Sequence, residues 1–195
     1  MEFSLNRLDL LEPLSKVVGV LEKRQTLPIL SHVLINVQRG QVVITGSDQE
    51  VQLEAVIDAS VDSVDIVIEG VCAVPGRKLL DIVRHLPAEW VLQFKQTDQH
   101  VVLSSGAFES QFSMLPAEDF PRFETSEVGV CRVGLSGTDL KAMLSKTMFA
   151  MAHQDVRYFF NGMLLELDGA LLRLVATNGQ RLATAEHALR SRVEV

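Results

Sequence analysis

The sequence has little of several features that would assign it to a particular class of protein. Only two cysteines occur in 195 residues, Cys72 and Cys131, and they form no CxxC pair. Such sparse cysteine is typical of buried thiols in a reducing compartment, and it argues against a disulfide framework. No apolar run approaches the roughly 18 residues of a membrane-spanning helix, and the N-terminal residues lack the pattern of a signal peptide. We therefore expect a cytoplasmic protein.

The chain also lacks an excess of positive charge. It has 18 lysines and arginines against 25 aspartates and glutamates, a net charge of −7. A protein that holds nucleic acid electrostatically over its whole surface would need a basic excess. The composition argues against such a grip but leaves a local basic strip open.

Sequence motifs for catalysis are absent as well. There is no HExxH, GxSxG or Walker pattern and no cysteine cluster with metal spacing. His153 and Asp155 lie in a "HQD" triplet that could hold a metal, but a turn or a capped helix end is favoured. We predict no catalytic residue, no metal site and no cofactor, and hence a protein that is not an enzyme.

What is present is an alternation of short strands with a few helices. Apolar residues at helical spacing predict helices over 8–22, with Pro13 near the first turn, and from Pro75 to Pro87. Strand-like runs occupy 1–6, 27–58 (three runs), 64–74 and 90–115 (three runs). Short connections favour antiparallel pairing. The fold class is therefore α+β, an antiparallel sheet with two helices on one face.

A stretch with the composition of a linker divides the chain. Residues 116–129, "PAEDFPRFETSEVG", contain two prolines and four acidic residues but few apolar ones. We place a first domain at 1–120, a linker at 121–129 and a second domain at 130–195.

The pattern restarts after this linker at an offset of 130 residues. The order of strand, helix, strand and strand recurs without a gap, which indicates an internal repeat. Identical pairs mark the first strand and the helix: Leu5/Leu135, Asp9/Asp139, Leu10/Leu140, Leu14/Leu144, Ser15/Ser145 and Lys16/Lys146. The helix that starts at Pro75 would recur near position 205, so we expect the second domain to be an N-terminal half and the chain a fragment.

Two segments of the second domain carry candidate functional residues. In "MAHQDVRYFFNGM", 151–163, Gln154, Arg157, Tyr158 and Phe159 could contact phosphates and stack on bases. The alternative, that Phe159 and Phe160 simply enter the core, is favoured by the residues alone. At the matching place in the first domain, Lys23 and Arg24 offer cations, or they are ordinary loop residues.

The second segment is "VATNGQRLAT", 175–184. Asn178-Gly179 is a turn dipeptide, but a turn does not require the arginine and leucine that follow it. Thr177, Gly179, Arg181 and Leu182 could line a shallow pocket near Phe160 for the apolar anchors of a peptide. The competing interpretation is a hairpin turn with Leu182 in the core.

Five stretches together resemble the bacterial DNA polymerase III beta subunit family, the sliding clamps. They are "TLPILSHVLI", "VPGRKLLDIVRHLP", "FSMLPAEDFP", "MAHQDVRYFFNGMLLE" and "VATNGQRLA", in the family's order and spacing. The resemblance implies a DNA clamp fold of repeated domains. It also implies a homodimeric ring that encircles duplex DNA without reading its sequence. The partners that the resemblance implies, bound through clamp-binding peptides, are the polymerase III alpha subunit and the clamp loader.

The resemblance also implies roles for individual residues. Those expected to touch DNA are Arg24, Gln154, Tyr158 and Phe159, the last standing where many members have tyrosine. Those expected to bind partner peptides are Phe160, Thr177, Gly179, Gln180, Arg181 and Leu182. The family usually has aspartate, histidine and leucine where this chain has Asn178, Gln180 and Phe160. The alternative function is a peptide-binding recruitment module that forms no ring and uses Phe160 and 177–182.

Overall fold

The computed structural model describes residues 1–21, 27–38, 40–59, 64–123 and 132–189. The chain divides into two compact units, Met1–Glu124 and Thr125–Val195, called here the first and second units.

In its described residues, the first unit consists of two antiparallel sheets and two α-helices. The elements are β1 (Glu2–Asn6), α1 (Arg7–Val18), β2 (His32–Gln38), β3 (Gln41–Ser47), β4 (Gln52–Asp58), β5 (Val64–Ile68), β6 (Gly70–Pro75), α2 (Gly76–His85), β7 (Val91–Gln96), β8 (His100–Ser105) and β9 (Phe108–Ser113). The strands form sheets of order β5-β1-β7-β8-β9 and β4-β3-β2-β6. Both helices pack on the four-stranded sheet, α1 against β3 and β4 and α2 against β2 and β6. The predicted α+β fold with antiparallel pairing is confirmed.

The main apolar core of the first unit joins both sheets and both helices. Alternate residues of each strand point inward because successive side chains lie on opposite faces; Leu92 and Phe94 are buried while their neighbours are not. The rings of Phe3 and Phe94 stack at 4.7 Å between centroids. Cys72 is buried in the same core, and burial raises the pKa of its thiol to about 12, so this thiol is unreactive at neutral pH. Cys131 lies outside the described residues.

Helix α1 starts earlier than its sequence suggests. It follows β1 directly, so Pro13 is its seventh residue and not part of its first turn. Proline has no N–H, so the carbonyl of Asp9 lacks its usual helical donor. The helix continues because Leu10, Leu14, Val17 and Val18 are buried, and tertiary packing outweighs one missing bond.

Three strand boundaries also differ from the prediction. Residues Pro28–Ser31 form a short 3₁₀ helix before β2 begins. The triplet Gly46-Ser47-Asp48 is typical of a hairpin turn, but Gly46 and Ser47 belong to β3, and the turn lies at Asp48–Val51. The run at 64–74 is two strands, because β5 pairs with β1 in one sheet and β6 with β2 in the other.

The segment after β9 remains part of the first unit. Leu115 bridges Ala73, and Phe120 is 3% exposed against Ile29 and Leu30. Residues 116–120 therefore have the composition of a linker but pack as part of the first unit. Aromatic burial in this stretch depends on the 3₁₀ helix at Pro28–Ser31, which lies about 90 residues earlier in the chain.

The part of the second unit that the structure describes contains one α-helix on one three-stranded sheet. The elements are α3 (Gly137–Thr147), β10 (Leu164–Asp168), β11 (Leu171–Thr177) and β12 (Leu182–Ala188), with 3₁₀ helices at Met148–Ala150 and Tyr158–Asn161. The sheet order is β10-β11-β12, all antiparallel, and the helix α3 packs on β11 and β12. The core of this part is formed by Met143, Leu172, Leu174 and Ala185.

The predicted internal repeat is confirmed in these elements. β11 and β12 begin and end 130 residues after β3 and β4, and Tyr158–Asn161 follows Pro28–Ser31 at the same offset. The predicted counterpart of β1 is not a strand over residues 132–136. β1 is held by β5 and β7, whose counterparts would fall at 194–198 and 221–226. A strand requires such pairing to satisfy its backbone groups.

Candidate functional site

The turn after β11 is held by its own side chains. The Asn178 side-chain oxygen accepts hydrogen bonds from the backbone N–H groups of Gln180 and Arg181, both at 3.0 Å. The Thr177 hydroxyl accepts from the Gly179 N–H at 3.1 Å and donates to the Arg181 carbonyl at 2.7 Å. Gly179 has φ of +88°, a conformation that glycine adopts without steric cost. The turn therefore presents residues 179–182 in one defined arrangement.

The aromatic segment before β10 is also fixed locally. The Asn161 side chain accepts from the Asp155 N–H at 2.9 Å and donates to the Asp155 carbonyl at 3.0 Å. Phe159 packs edge-on against both Tyr158 and Phe160, at centroid distances of 5.9 and 4.6 Å. Tyr158 is 82% exposed and Phe159 62%. Because Phe160 is only partly buried, the interpretation that Phe159 and Phe160 enter the core is wrong.

Arg157 is paired with Asp155 in this segment. Its Nε and Nη2 donate to the two carboxylate oxygens at 3.0 and 2.8 Å, and its backbone N–H donates at 2.8 Å. The side-chain hydrogen bonds from Arg157 lower the pKa of Asp155 to about 2. The Asp155 carboxylate is therefore engaged by a guanidinium. Among the described residues, no group of three His, Cys, Asp or Glu side chains could hold a metal ion.

The turn and the aromatic segment meet in the folded chain. The Arg157 guanidinium lies over the Phe160 ring, 4.5 Å from its centroid. A Cβ on Gly179 would lie 3.6 Å from Phe160 Cε2 and 3.8 Å from Arg157 Nη1. Arg181 lies over the Phe149 ring at 5.8 Å. We call these five residues, Phe149, Arg157, Phe160, Gly179 and Arg181, the aromatic–turn surface.

Chemically, this surface offers exposed rings and guanidinium groups beside a turn. Phe149 is 59% exposed, and Gly179 and Arg181 are exposed. Leu182, which pairs with Thr177 at the start of β12, is 66% exposed. The interpretation that Leu182 belongs to the core is therefore wrong. Exposed aromatic, arginine and leucine side chains on a rigid turn are suited to hold a short peptide.

The predicted residues are thus brought together only in part. Phe160, Gly179 and Arg181 belong to the aromatic–turn surface, with Thr177 bonded inside the turn and Gln180 exposed. Gln154 is exposed and has φ of +56°. Arg24, together with Lys23, lies outside the described residues.

Phe149 was not among the predicted site residues. Arg157 was predicted only as a possible contact to phosphates, from its place in the mixed polar and aromatic segment. Phe149 carries no such signal, since its contact with Arg181 spans 32 positions of sequence and depends on the fold.

The helices carry a charge opposite to that of the whole chain. α1, α2 and α3 together have seven lysines and arginines against four aspartates and glutamates. Their net charge is +3 in a chain of net charge −7, so the other residues sum to −10. Within the described residues, no helix is long and apolar enough to cross a membrane.

Comparison with known proteins agrees with the repeated architecture. Residues 1–124 match the family of the DNA polymerase III beta subunit, N-terminal domain, and residues 134–194 match the central domain of the same subunit. These matches define a protein built from successive domains of one replication subunit. The chain belongs to the DNA polymerase III beta subunit family.

Individual relatives are sliding clamps. The chain is 42% identical over 183 residues to the beta sliding clamp of Pseudomonas aeruginosa, covering 94% of this chain and 48% of the relative. It is 40% identical to that of Escherichia coli K12, with coverage of 94% and 49%. The chain therefore spans about half the length of the curated relatives it matches.

Solved structures show the same similarity. A Pseudomonas aeruginosa sliding clamp bound to griselimycin superposes with a TM-score of 0.90 at 40% identity, covering 98% of this chain and 50% of that one. A sliding clamp from Caulobacter crescentus gives 0.87 at 27% identity, with coverage of 98% and 52%.

Proposed function

We propose that this chain is part of a sliding clamp, a processivity factor that encircles duplex DNA as a homodimeric ring. It performs no chemistry itself and acts in the cytoplasm. The observation that carries the proposal is the 130-residue repeat in a member of this family, since a ring is built from successive similar domains. We propose boundaries of 1–120 for the first clamp domain, 121–129 for the linker and 130–195 for the part of the second domain present here.

Contact with DNA would come from a small excess of positive charge on the helices. The net charge of +3 on α1, α2 and α3 supports these helices as the DNA-facing surface. A ring that slides needs contacts to phosphates that do not depend on sequence. Gln154, Tyr158 and Phe159 would add polar and stacking contacts from the exposed aromatic segment, and we propose Arg24 as a further cation.

Partner proteins would bind at the aromatic–turn surface. We propose that Phe160, Gly179 and Arg181 hold peptides of the polymerase III alpha subunit and the clamp loader. Thr177, Gln180 and Leu182 would complete this contact. The exposure of the rings and of Leu182 supports the proposal, because such groups gain most from being covered.

The proposed ring is tested by comparing how the protein is retained on circular and on linear DNA. The protein, expressed from its complete reading frame, is loaded by a clamp loader and ATP onto nicked circular DNA, half of the sample is linearised, and both halves are gel-filtered. We expect retention on the circle and loss from the cut DNA. Equal retention on both would indicate an electrostatic binder. Loss from both, after loading has been verified, would favour the peptide-binding module that forms no ring.

The partner site is tested separately by Arg181→Ala and Leu182→Ala. We expect each to weaken binding of a fluorescent clamp-binding peptide about tenfold, because apolar and guanidinium contacts at such a site are each worth more than 1 kcal/mol. Thermal stability should hardly change, because both side chains are exposed. Leu165→Ala is the matched control, an exposed leucine of β10. Unchanged affinity in both variants would reject the site.

A further inference from the structure

We propose that Asp155 is a positioning residue of the aromatic–turn surface, acting through Arg157 to hold the Phe160 ring against the turn. The inference rests on the peptide-binding role proposed above. It concerns how that surface keeps its shape rather than which residues touch a partner.

The first step is the fixation of Asp155 itself. Its backbone N–H and carbonyl both bond to the Asn161 side chain, at 2.9 and 3.0 Å. Asn161 ends the 3₁₀ helix that contains Phe160. Asp155 is therefore anchored to the aromatic segment at two points before its carboxylate makes any contact.

The second step is the orientation of the guanidinium. Asp155 receives two side-chain bonds from Arg157 in a fork, at 3.0 and 2.8 Å. A forked carboxylate pair fixes the plane of the guanidinium as well as its place. An exposed arginine without this pair would sample many rotamers.

The oriented guanidinium in turn orients the Phe160 ring. The guanidinium lies 4.5 Å from the Phe160 centroid, within the range of a cation–π contact. On the turn side, the Gly179 position lies near both the Phe160 ring and Arg157 Nη1. The ring is thus held between the guanidinium and the turn, and a partner would meet Phe160 already oriented.

A second carboxylate–arginine group in the same unit provides a control. Arg173 on β11 donates to Glu186 and Glu166, both at 2.7 Å. Glu186 is 52% exposed against 22% for Asp155, and Arg173 is 35% exposed against 53% for Arg157; the pairs of Arg173 lie across the strands β10, β11 and β12. Glu186→Gln therefore removes a similar ion pair without touching the aromatic–turn surface.

The variant to test is Asp155→Asn. Asparagine keeps an oxygen for the Arg157 N–H and retains the backbone bonds to Asn161, so the segment should fold. It loses the charge that holds the guanidinium. The probe is griselimycin, which a Pseudomonas aeruginosa relative binds in a solved structure. We expect its affinity for this 195-residue chain to fall about three- to fivefold, the range of a single exposed ion pair, and Glu186→Gln to leave it unchanged.

A readout independent of binding comes from the chain's only tyrosine. Biosynthetic 3-fluorotyrosine labels Tyr158 alone, which reports on Phe160 through Phe159. We expect the ¹⁹F resonance to shift or broaden in Asp155→Asn and in Arg157→Gln, and to stay in place in Glu186→Gln. A resonance unchanged in Asp155→Asn, with unchanged affinity, would overturn the inference.

The double variant decides whether Asp155 acts through Arg157. Asp155→Asn in the Arg157→Gln background should cost no further affinity. A further loss would show that Asp155 contacts the probe directly and is not a positioning residue. If the unaltered chain binds no griselimycin, the ¹⁹F resonance alone decides the positioning role, and the proposed partner site is judged by the Arg181→Ala and Leu182→Ala variants.

Discussion

Helices α1 and α3 begin 130 residues apart and carry leucines at the same positions, but Leu10 is 1% exposed and Leu140 is 38% exposed. The helix α1 contacts α2 as well as its sheet, whereas the described contacts of α3 are with β11, β12 and the adjoining 3₁₀ helix. Equal periodicity therefore does not produce equal burial. The apolar face of a helix is buried only where another element packs against it.

The strands show the same contrast. β2 lies between β3 and β6, and Leu34 and Ile35 are buried. Its counterpart β10 is an edge strand in the described sheet, and Leu164 and Leu165 are 60% and 59% exposed. The first unit thus has a core that two sheets and two helices enclose. The described part of the second unit repeats part of one of those sheets and one of those helices.

The largest expected difference between the units is in the cost of removing a helical leucine. Leu10→Ala should lower the free energy of unfolding of the first unit by about 3 kcal/mol, because the cavity is fully enclosed. Leu140→Ala should cost less than about 1 kcal/mol. Urea unfolding followed by Trp90 fluorescence for the first unit and 3-fluorotyrosine at Tyr158 for the second measures both. Equal losses would contradict the contrast in burial.

Removing the N-cap side chain should have the opposite effect, with the larger loss of stability in the second unit. Ser136 caps α3 by accepting a hydrogen bond from the Asp139 N–H at 3.0 Å, whereas Asn6 before α1 makes no side-chain cap bond. Ser136→Ala should therefore cost about 1 kcal/mol, and Asn6→Ala about 0.5 kcal/mol or less. The Arg7 N–H already donates to the Trp90 carbonyl. The same two probes apply, and a larger loss for Asn6→Ala would show that α1 depends on local capping.

The two matching turns should respond oppositely to glycine. Gln49 has φ of +77° and its counterpart Gly179 has +88°. Gln49→Gly should raise the stability of the first unit by about 0.5 kcal/mol, since relief of strain exceeds the entropy that glycine adds to the unfolded chain. Gly179→Gln should lower that of the second unit by a similar amount. A loss in Gln49→Gly would mean that the Gln49 side chain stabilises its turn.

The smallest difference should appear as a dependence on pH. Hydrogen bonds from the N–H groups of Val51 and Glu50 lower the pKa of Asp48. In the second unit, Asn178 accepts the equivalent hydrogen bonds with an uncharged side chain. The stabilisation from Asp48 is therefore complete above the unfolded-state pKa and fades as the pH falls through the lower folded value. Asp48→Asn should remove this dependence between about pH 5 and pH 3. Unfolding by Trp90 fluorescence across that range checks it, and an unchanged slope would assign the dependence to other carboxylates.

Sequence reasoning was most successful where structure depends on near neighbours. The alternating runs of β7, β8 and β9, the helix between Pro75 and Pro87 and the turn at Asn178-Gly179 all follow from patterns within about ten residues. It was less successful at Pro13, where burial of the α1 leucines overrides a local cost. Taken alone, the apolar character of Phe159, Phe160 and Leu182 also suggests the core, although all three remain at least partly exposed.

The sequence by itself determined the α+β class, the 130-residue repeat and the two segments that carry candidate site residues. Periodicity, turn chemistry and repeat spacing are properties of short stretches and survive in any context. Only the tertiary structure decided which leucines are buried, and that Arg157, Phe160 and Gly179 meet while Arg181 reaches Phe149. The contacts of Gly179 with Arg157 and Phe160, and of Arg181 with Phe149, join residues 19 to 32 positions apart. They form only when the folded chain brings the turn after β11 beside the segments that precede β10.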